Sequence, residues 1–314
     1  MKALISIAFI IFLLSAAVLA VQLSPTPTGS PQPAKTEHSS NNSSHNGGYI
    51  DARAAFLPDG TAVRYLVLRR VADPLYREPT KDELAAIAPN TSFSRLYSTF
   101  LNEPHTGLFR LVADAKCGEE ATLVSARNEC LKFTMPGGGS SYSFRTGNYR
   151  LGRLADLTFS SNAFHTSGIL THGILVKLGE VPIESVTMQT RGIRYLADFQ
   201  PSADLEEAKR IEKQLANGII ADGFLYSCAL TATDGTTYVL RTIAYRGKSL
   251  RAMDGVVFNE LDFDKRKDVT IVFRIVNRAE DGSVMILWKL LDKKNSPKIK
   301  RKPLAKKKLQ EANS

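Results

Sequence analysis

VTIVFRIVNRAEDGSVMILWKLL, residues 269–291, decides the fold. Two apolar, β-branched and aromatic runs, Val269 to Val276 and Val284 to Leu291, flank Asp281-Gly282. Asp-Gly between such runs supplies the positive φ angles of a hairpin turn, so the stretch reads as two antiparallel strands. The same grammar recurs upstream. Phe224 to Ala232, then Asp234-Gly235, then Thr237 to Tyr245 predicts a second hairpin. Asp59-Gly60 before Val63 predicts a third turn.

Further strand-like runs are Val63 to Val71, stopped by Asp73-Pro74, and Leu108 to Ala113, Leu131 to Thr134, Leu154 to Phe159 and Ile169 to Leu178. Two helices stand out. Thr80-Lys81-Asp82-Glu83 has the form of a capping box ahead of Leu84 to Ile87, with Pro89 as its stop. A longer helix is predicted from Ser202 to about Ala216. Leu205, Ala208, Ile211 and Leu215 make one apolar stripe, acids fill the first turn, and Asn217-Gly218 ends it. Strands dominate and helices do not alternate with them. The predicted fold class is therefore α+β, mainly antiparallel sheet with a few helices. No repeat of fixed period is present. The folded body spans residues 49–293, read as one domain, with a split near residues 137–150 as the alternative.

The N-terminus has a different character. Lys2 precedes an apolar run from Ala3 to Ala20 that exits through Val18-Leu19-Ala20, the layout of a secretory signal cleaved after residue 20. Continued to Leu23, the run would extend roughly 31 Å as a helix, so an uncleaved membrane anchor is the second reading. Either way the rest of the chain lies outside the cytoplasm. Residues 21–48 hold Pro25, Pro27, Pro31, Pro33 and a Ser/Asn tract, too little apolar content to order, and are predicted to be a disordered linker. His38 and His45 fall in it as solvated linker residues.

The net charge of +10 is concentrated at the other end. From Lys289 onward there are 10 Lys and Arg against 2 acids, which leaves the first 288 residues at only +2. Residues 294–314 are predicted to be a disordered basic tail, with Lys298, Lys300, Arg301, Lys302, Lys306, Lys307 and Lys308 as contacts to an anionic surface. Either an anionic membrane surface or an acidic envelope polymer suits an exported chain. No aromatic follows Trp288, so the tail lacks the stacking platforms of single-strand nucleic-acid binders.

Chemistry-bearing constellations are sparse. Cys117 and Cys130 are spaced for a disulfide in an oxidising compartment. Cys228, mid-strand, reads as a buried, inert thiol, with a bridge to one of the other two as the alternative. His165 and His172 are seven apart, which suits neither a strand face nor the helical spacing of zinc proteases. A zinc site would need Gly168 to fold them together with Asp156 or His105. Gly137-Gly138-Gly139-Ser140-Ser141 lacks the Lys-Ser/Thr of a phosphate loop and the elbow of a serine nucleophile, and reads as a mobile hairpin loop. Arg145, Arg150 and Arg153 with Tyr142, Phe144 and Tyr149 read as an exposed sheet face, or as a surface for a glycan acid or a phosphate. No cofactor is expected. The sequence thus favours an exported, non-catalytic binding or structural domain of the cell envelope. The alternative is an exported hydrolase, which would need His105, His165 or His172 to converge with a carboxylate or Ser.

Overall fold

A computed structural model describes residues 70, 72, 75–113, 135–253 and 256–300. In chain order its strands are β1 (Thr106–Leu111), β2 (Ser141–Ser143), β3 (Asn148–Tyr149), β4 (Leu157–Ser160), β5 (Ala163–Thr166), β6 (Thr171–Gly179) and β7 (Ile219–Ala221), then β8 (Phe224–Ser227), β9 (Ala229–Thr231), β10 (Thr237–Ala244), β11 (Leu250–Met253), β12 (Val256–Asn259), β13 (Lys267–Arg278) and β14 (Val284–Asn295). The fold is α+β and predominantly antiparallel. A seven-stranded sheet has the order β1-β14-β13-β10-β6-β8-β7, a smaller sheet the order β3-β2-β4-β5-β9, and β11 pairs with β12 alone.

The 269–291 stretch forms the expected hairpin. β13 and β14 run antiparallel for 12 residues each, from Lys267↔Asn295 to Arg278↔Val284. The connection is a three-residue loop. The Gly282 N–H donates to the Ala279 carbonyl, the Ala279 N–H donates to the Ser283 carbonyl, and only Gly282 takes a positive φ, 79°. This is the type I turn with a following left-handed residue that three-residue hairpins use.

Period-2 alternation sorts these strands between two cores. Ile271, Phe273 and Ile275 of β13, Ile286 of β14, and Tyr238 and Leu240 of β10 face the small sheet. There they meet Tyr142, Leu157, Phe159 and Phe164. Val272, Leu287, Val239, Ile174 and Val176 point the other way, under Ile183, Ile193, Leu196 and Leu215. The large sheet is covered on both faces, which is why its strands read as near-continuous apolar runs with little polar alternation.

The helices are short except one: α1 (Lys81–Ala86), α2 (Thr91–Leu96), α3 (Ser98–Leu101), α4 (Arg194–Asp198) and α5 (Leu205–Asn217). The capping box of α1 forms as predicted, with Glu83 N–H on Thr80 Oγ1 at 3.2 Å and Thr80 N–H on Glu83 Oε2 at 2.8 Å. α5 starts later than Ser202. Asp204 is its N-cap, accepting from the N–H groups of Glu206 (2.9 Å) and Glu207 (3.1 Å). A carboxylate satisfies two orphan donors there and complements the helix dipole, while Ser202 Oγ is used by the Asp204 N–H. α2, α3 and α4 lack a strong periodic stripe and were not legible.

One strand expectation is overturned and others fall largely or wholly outside the described residues. The second predicted hairpin does not form: Asp234-Gly235 makes a turn, but β9 pairs with β5 of the small sheet, whereas β10 lies between β13 and β6. All eight residues of β10 are buried, so both its edges need partners, and Cys228 is the corner where the preceding strand leaves one sheet for the other. Of the strand expected over Val63 to Val71 only Arg70 is described, and it is helical. The strand at Leu131 to Thr134 and the turn at Asp59-Gly60 lie outside the described residues.

Candidate functional site

The chain after β14 was expected to be loose from residue 294, but its first part is clamped to the body. β14 itself runs to Asn295. Pro297 O accepts from Arg246 N–H (2.9 Å), and Ile299 N–H donates to Arg246 O (2.8 Å). Lys300 N–H donates to Ala203 O (2.7 Å), and Leu205 N–H donates to Lys300 O (3.1 Å). Arg246 Nε adds a bond to Ser296 O at 2.9 Å. Ile299 is buried against Ala208, Ile243 and Tyr245. Residues 296–300 are thus a strap in which one apolar side chain points in while Lys298 and Lys300 on either side stay exposed. Exposed Arg246 and Lys248 lie on the segment it runs along. Reading the tail by charge alone missed Ile299. The signal was the alternation Lys-Ile-Lys after Pro297. Arg301, Lys302, Lys306, Lys307 and Lys308 lie outside the described residues, as do Cys117, Cys130 and the N-terminal apolar run of residues 3–20. Among the described residues no helix is long and apolar enough to cross a membrane.

The histidines separate. Phe164 of β5 faces the core, so His165 takes the outer face of the small sheet. His172 sits on the helix side of β6, buried, with Nδ1 3.2 Å from the Tyr245 hydroxyl. Burial lowers its pKa, and a bond with the Ala208 backbone only partly opposes this. His172 borders two adjoining grooves beside α5 of about 150 and 170 Å³, the second also lined by Glu212 and Cys228. Cys228 is a free, half-buried thiol, less enclosed than expected. His105 precedes β1, at a different edge. Among the described residues no three His, Cys, Asp or Glu side chains are grouped to hold a metal.

The Arg and aromatic stretch is not an exposed face. Tyr142, Phe144 and Tyr149 are buried between the sheets. Arg145 is fully enclosed, with Nε on Asp156 Oδ1 at 2.6 Å and Nη1 on the Asp264 carboxylate. Asp156 also accepts from Ser143 and Thr242, both at 3.1 Å. Asp264 in turn pairs with Arg266 at 2.6 Å. These paired charges tie the small sheet to the large one, and Asp156 has no capacity left for a metal. Arg153 is half exposed and pairs with Glu260 at 2.8 Å. The glycine run is a tight turn built against the core: Gly139 of Pro136–Gly139 is buried, its carbonyl accepting from Val112 N–H. Gly137 and Gly138 take φ of 73° and 58°, which is what the glycines provide.

Compared with protein-family models, curated proteins and solved structures, the chain matches none.

Proposed function

We propose that this chain is an exported, non-catalytic binding module of the cell envelope, held at anionic surfaces by the basic segment that begins at Lys298. The observation that carries the reading is the strap: burial of Ile299 and five bonds involving the backbone fix the root of the basic segment on the body. Lys298 and Lys300 are therefore presented from a fixed point, beside Arg246 and Lys248, and the five further cations follow within eight residues. Near an anionic surface each Lys or Arg contributes about 1 kcal/mol, and the attraction fades beyond a Debye length of about 10 Å at 0.1 M salt. The apolar run of residues 1–20 with its small-residue exit supports an extracytoplasmic location.

The test is binding of the mature chain to vesicles rich in anionic lipid, and to an acidic polysaccharide, across a salt series. Binding is expected at low salt and release at high salt. Changing Lys298, Lys300, Arg301, Lys302, Lys306, Lys307 and Lys308 to Gln is expected to abolish it. Equal binding by this variant, or equal binding to neutral vesicles and neutral polysaccharide, would overturn the reading.

A further inference from the structure

Beside the Arg145 and aromatic group lies a cavity of about 180 Å³ bordered by Phe144, by His105 at the start of β1, and by β14. Phe144 and Trp288 form its apolar part, and His105, Thr146 and Lys293 line it with polar atoms. Arg145 contributes to the floor, but its guanidinium is taken up by Asp156, Asp264 and the carbonyls of Leu154 and Lys265. No carboxylate lines the cavity among the described residues. With the Arg145 guanidinium already paired, Lys293 is the one Lys or Arg left in the lining among the described residues, beside an apolar wall that Val269 and Leu290 extend.

The wall is fixed in advance. The indole of Trp288 lies against Gly107, where a Cβ would stand 2.5 Å from Nε1, so only glycine leaves room for it. Its ring meets Phe144 edge to face, with centroids 5.3 Å apart at 69°. His105 is a non-glycine residue held at φ 60°, its carbonyl accepting from Leu290 N–H at 3.0 Å. His tolerates left-handed backbone better than most side chains, and among the described residues Ser161, Asn162, Leu170 and Asp222 adopt it too. At about 180 Å³ it is smaller than the usual ligand pocket of roughly 300–1,000 Å³, and its apolar wall and few polar groups suit a single small ring.

We propose that this cavity binds one sugar-acid residue, a pyranose ring bearing a carboxylate. Such a ring has an apolar face of C–H groups suited to an indole wall, hydroxyls suited to Thr146 and His105, and a negative charge suited to Lys293. The inference rests on the reading above that the chain engages an acidic envelope polymer, and it names that polymer as a polyuronide-type glycan. Lys293 is five residues before Lys298, so the cavity and the basic strap lie along one run of chain.

Trp288 is the only tryptophan, so its fluorescence reports on this wall alone. Monomeric glucuronate titrated into the mature chain is expected to give a saturable change, with glucose, acetate and inorganic phosphate giving none. Lys293→Ala, at an exposed side chain, is expected to weaken glucuronate at least tenfold while leaving the thermal midpoint unchanged. His105→Asn, which keeps a residue tolerant of left-handed backbone, is expected to weaken it severalfold. No saturable response, an equal response to acetate or phosphate, or an unchanged affinity in Lys293→Ala would overturn the proposal. The two readings fail separately. The monomer is too small to bridge to the tail, so its binding tests the cavity, while salt-sensitive binding of polyuronide and vesicles by the tail variant tests the strap.

Discussion

Glu260 is the carboxylate on which most donors converge at the edge of the body. It is 1% exposed and accepts from Tyr76 Oη (2.6 Å), Arg153 Nη2 (2.8 Å) and Arg251 Nη1 (3.0 Å). Burial raises its pKa, but the bonds from Arg153, Tyr76 and Arg251 outweigh this and hold it at about 2. The same contact and burial push the Tyr76 phenol to about 12. A carboxyl depressed in the folded state stabilises above its unfolded pKa, and the contribution is lost as pH falls toward the folded value. Denaturant unfolding is therefore expected to show stability falling between about pH 5 and pH 2, by roughly 2–3 kcal/mol from this residue, and Glu260→Gln is expected to flatten that range. His172 has the same sign at a higher pH. Its neutral form is favoured by burial, so protonation of the unfolded chain begins to cost stability below about pH 6.5. Two acid steps are expected in the wild type, and only the lower one should shrink in Glu260→Gln, with Asp281 and Glu207, also held below their usual range by their partners, keeping the remainder. A single featureless decline in both proteins would contradict this assignment.

At the level of elements, two contacts are open to a direct test. β1 can pair beside β14 with Trp288 across from it only because position 107 lacks a Cβ. Gly107→Ala is expected to displace the indole, cost about 1–3 kcal/mol and shift Trp288 emission to the red. An unshifted spectrum would mean the wall adjusts without moving. The strap depends on Ile299. Ile299→Ala removes packing from a small satellite cluster and is expected to cost about 2 kcal/mol locally. Limited proteolysis should then cut between Asn295 and Lys300 well before the body is attacked, whereas in the wild type those bonds should resist as long as the body does. Simultaneous digestion of strap and body in Ile299→Ala would show that the two unfold together.

For the whole molecule, the large sheet is the frame. One face carries the small sheet and the cavity beside Phe144, and the other carries α5 and the grooves beside it. β14 continues from the cavity at Lys293 into the strap at residues 296–300. If both engage one chain of ligand, the second contact becomes intramolecular. Polyuronide is then expected to bind far more tightly per residue than glucuronate, and the tail variant should lose that gain while keeping monomer affinity. Intact mass of the exported protein is expected to begin at Val21. A full-length mass released only by detergent would instead identify the anchor reading of residues 1–23.

What the sequence determined by itself was local. Continuous apolar, β-branched and aromatic runs gave β13, β14, β10 and β6, the Asp281-Gly282 step gave the hairpin between the two longest strands, and the stripe from Leu205 to Leu215 gave α5. These follow from backbone geometry and near-neighbour chemistry, which a chain carries wherever it is placed. The tertiary structure alone decided partners. Alternation tells which face a residue takes but not which strand lies beside it, so β9 went to the small sheet and the expected hairpin at Asp234-Gly235 did not form. Arg145 reads as a surface cation until Asp264, 119 residues away, arrives to neutralise it beside Asp156. Lys293, Trp288 and His105 meet only because β14 pairs with β1, and Ile299 becomes an anchor only because Ala208 and Tyr245 offer it a place to be buried. Burial and long-range pairing are properties of the assembled layers, and for that reason the cavity and the strap could not be read from the order of residues.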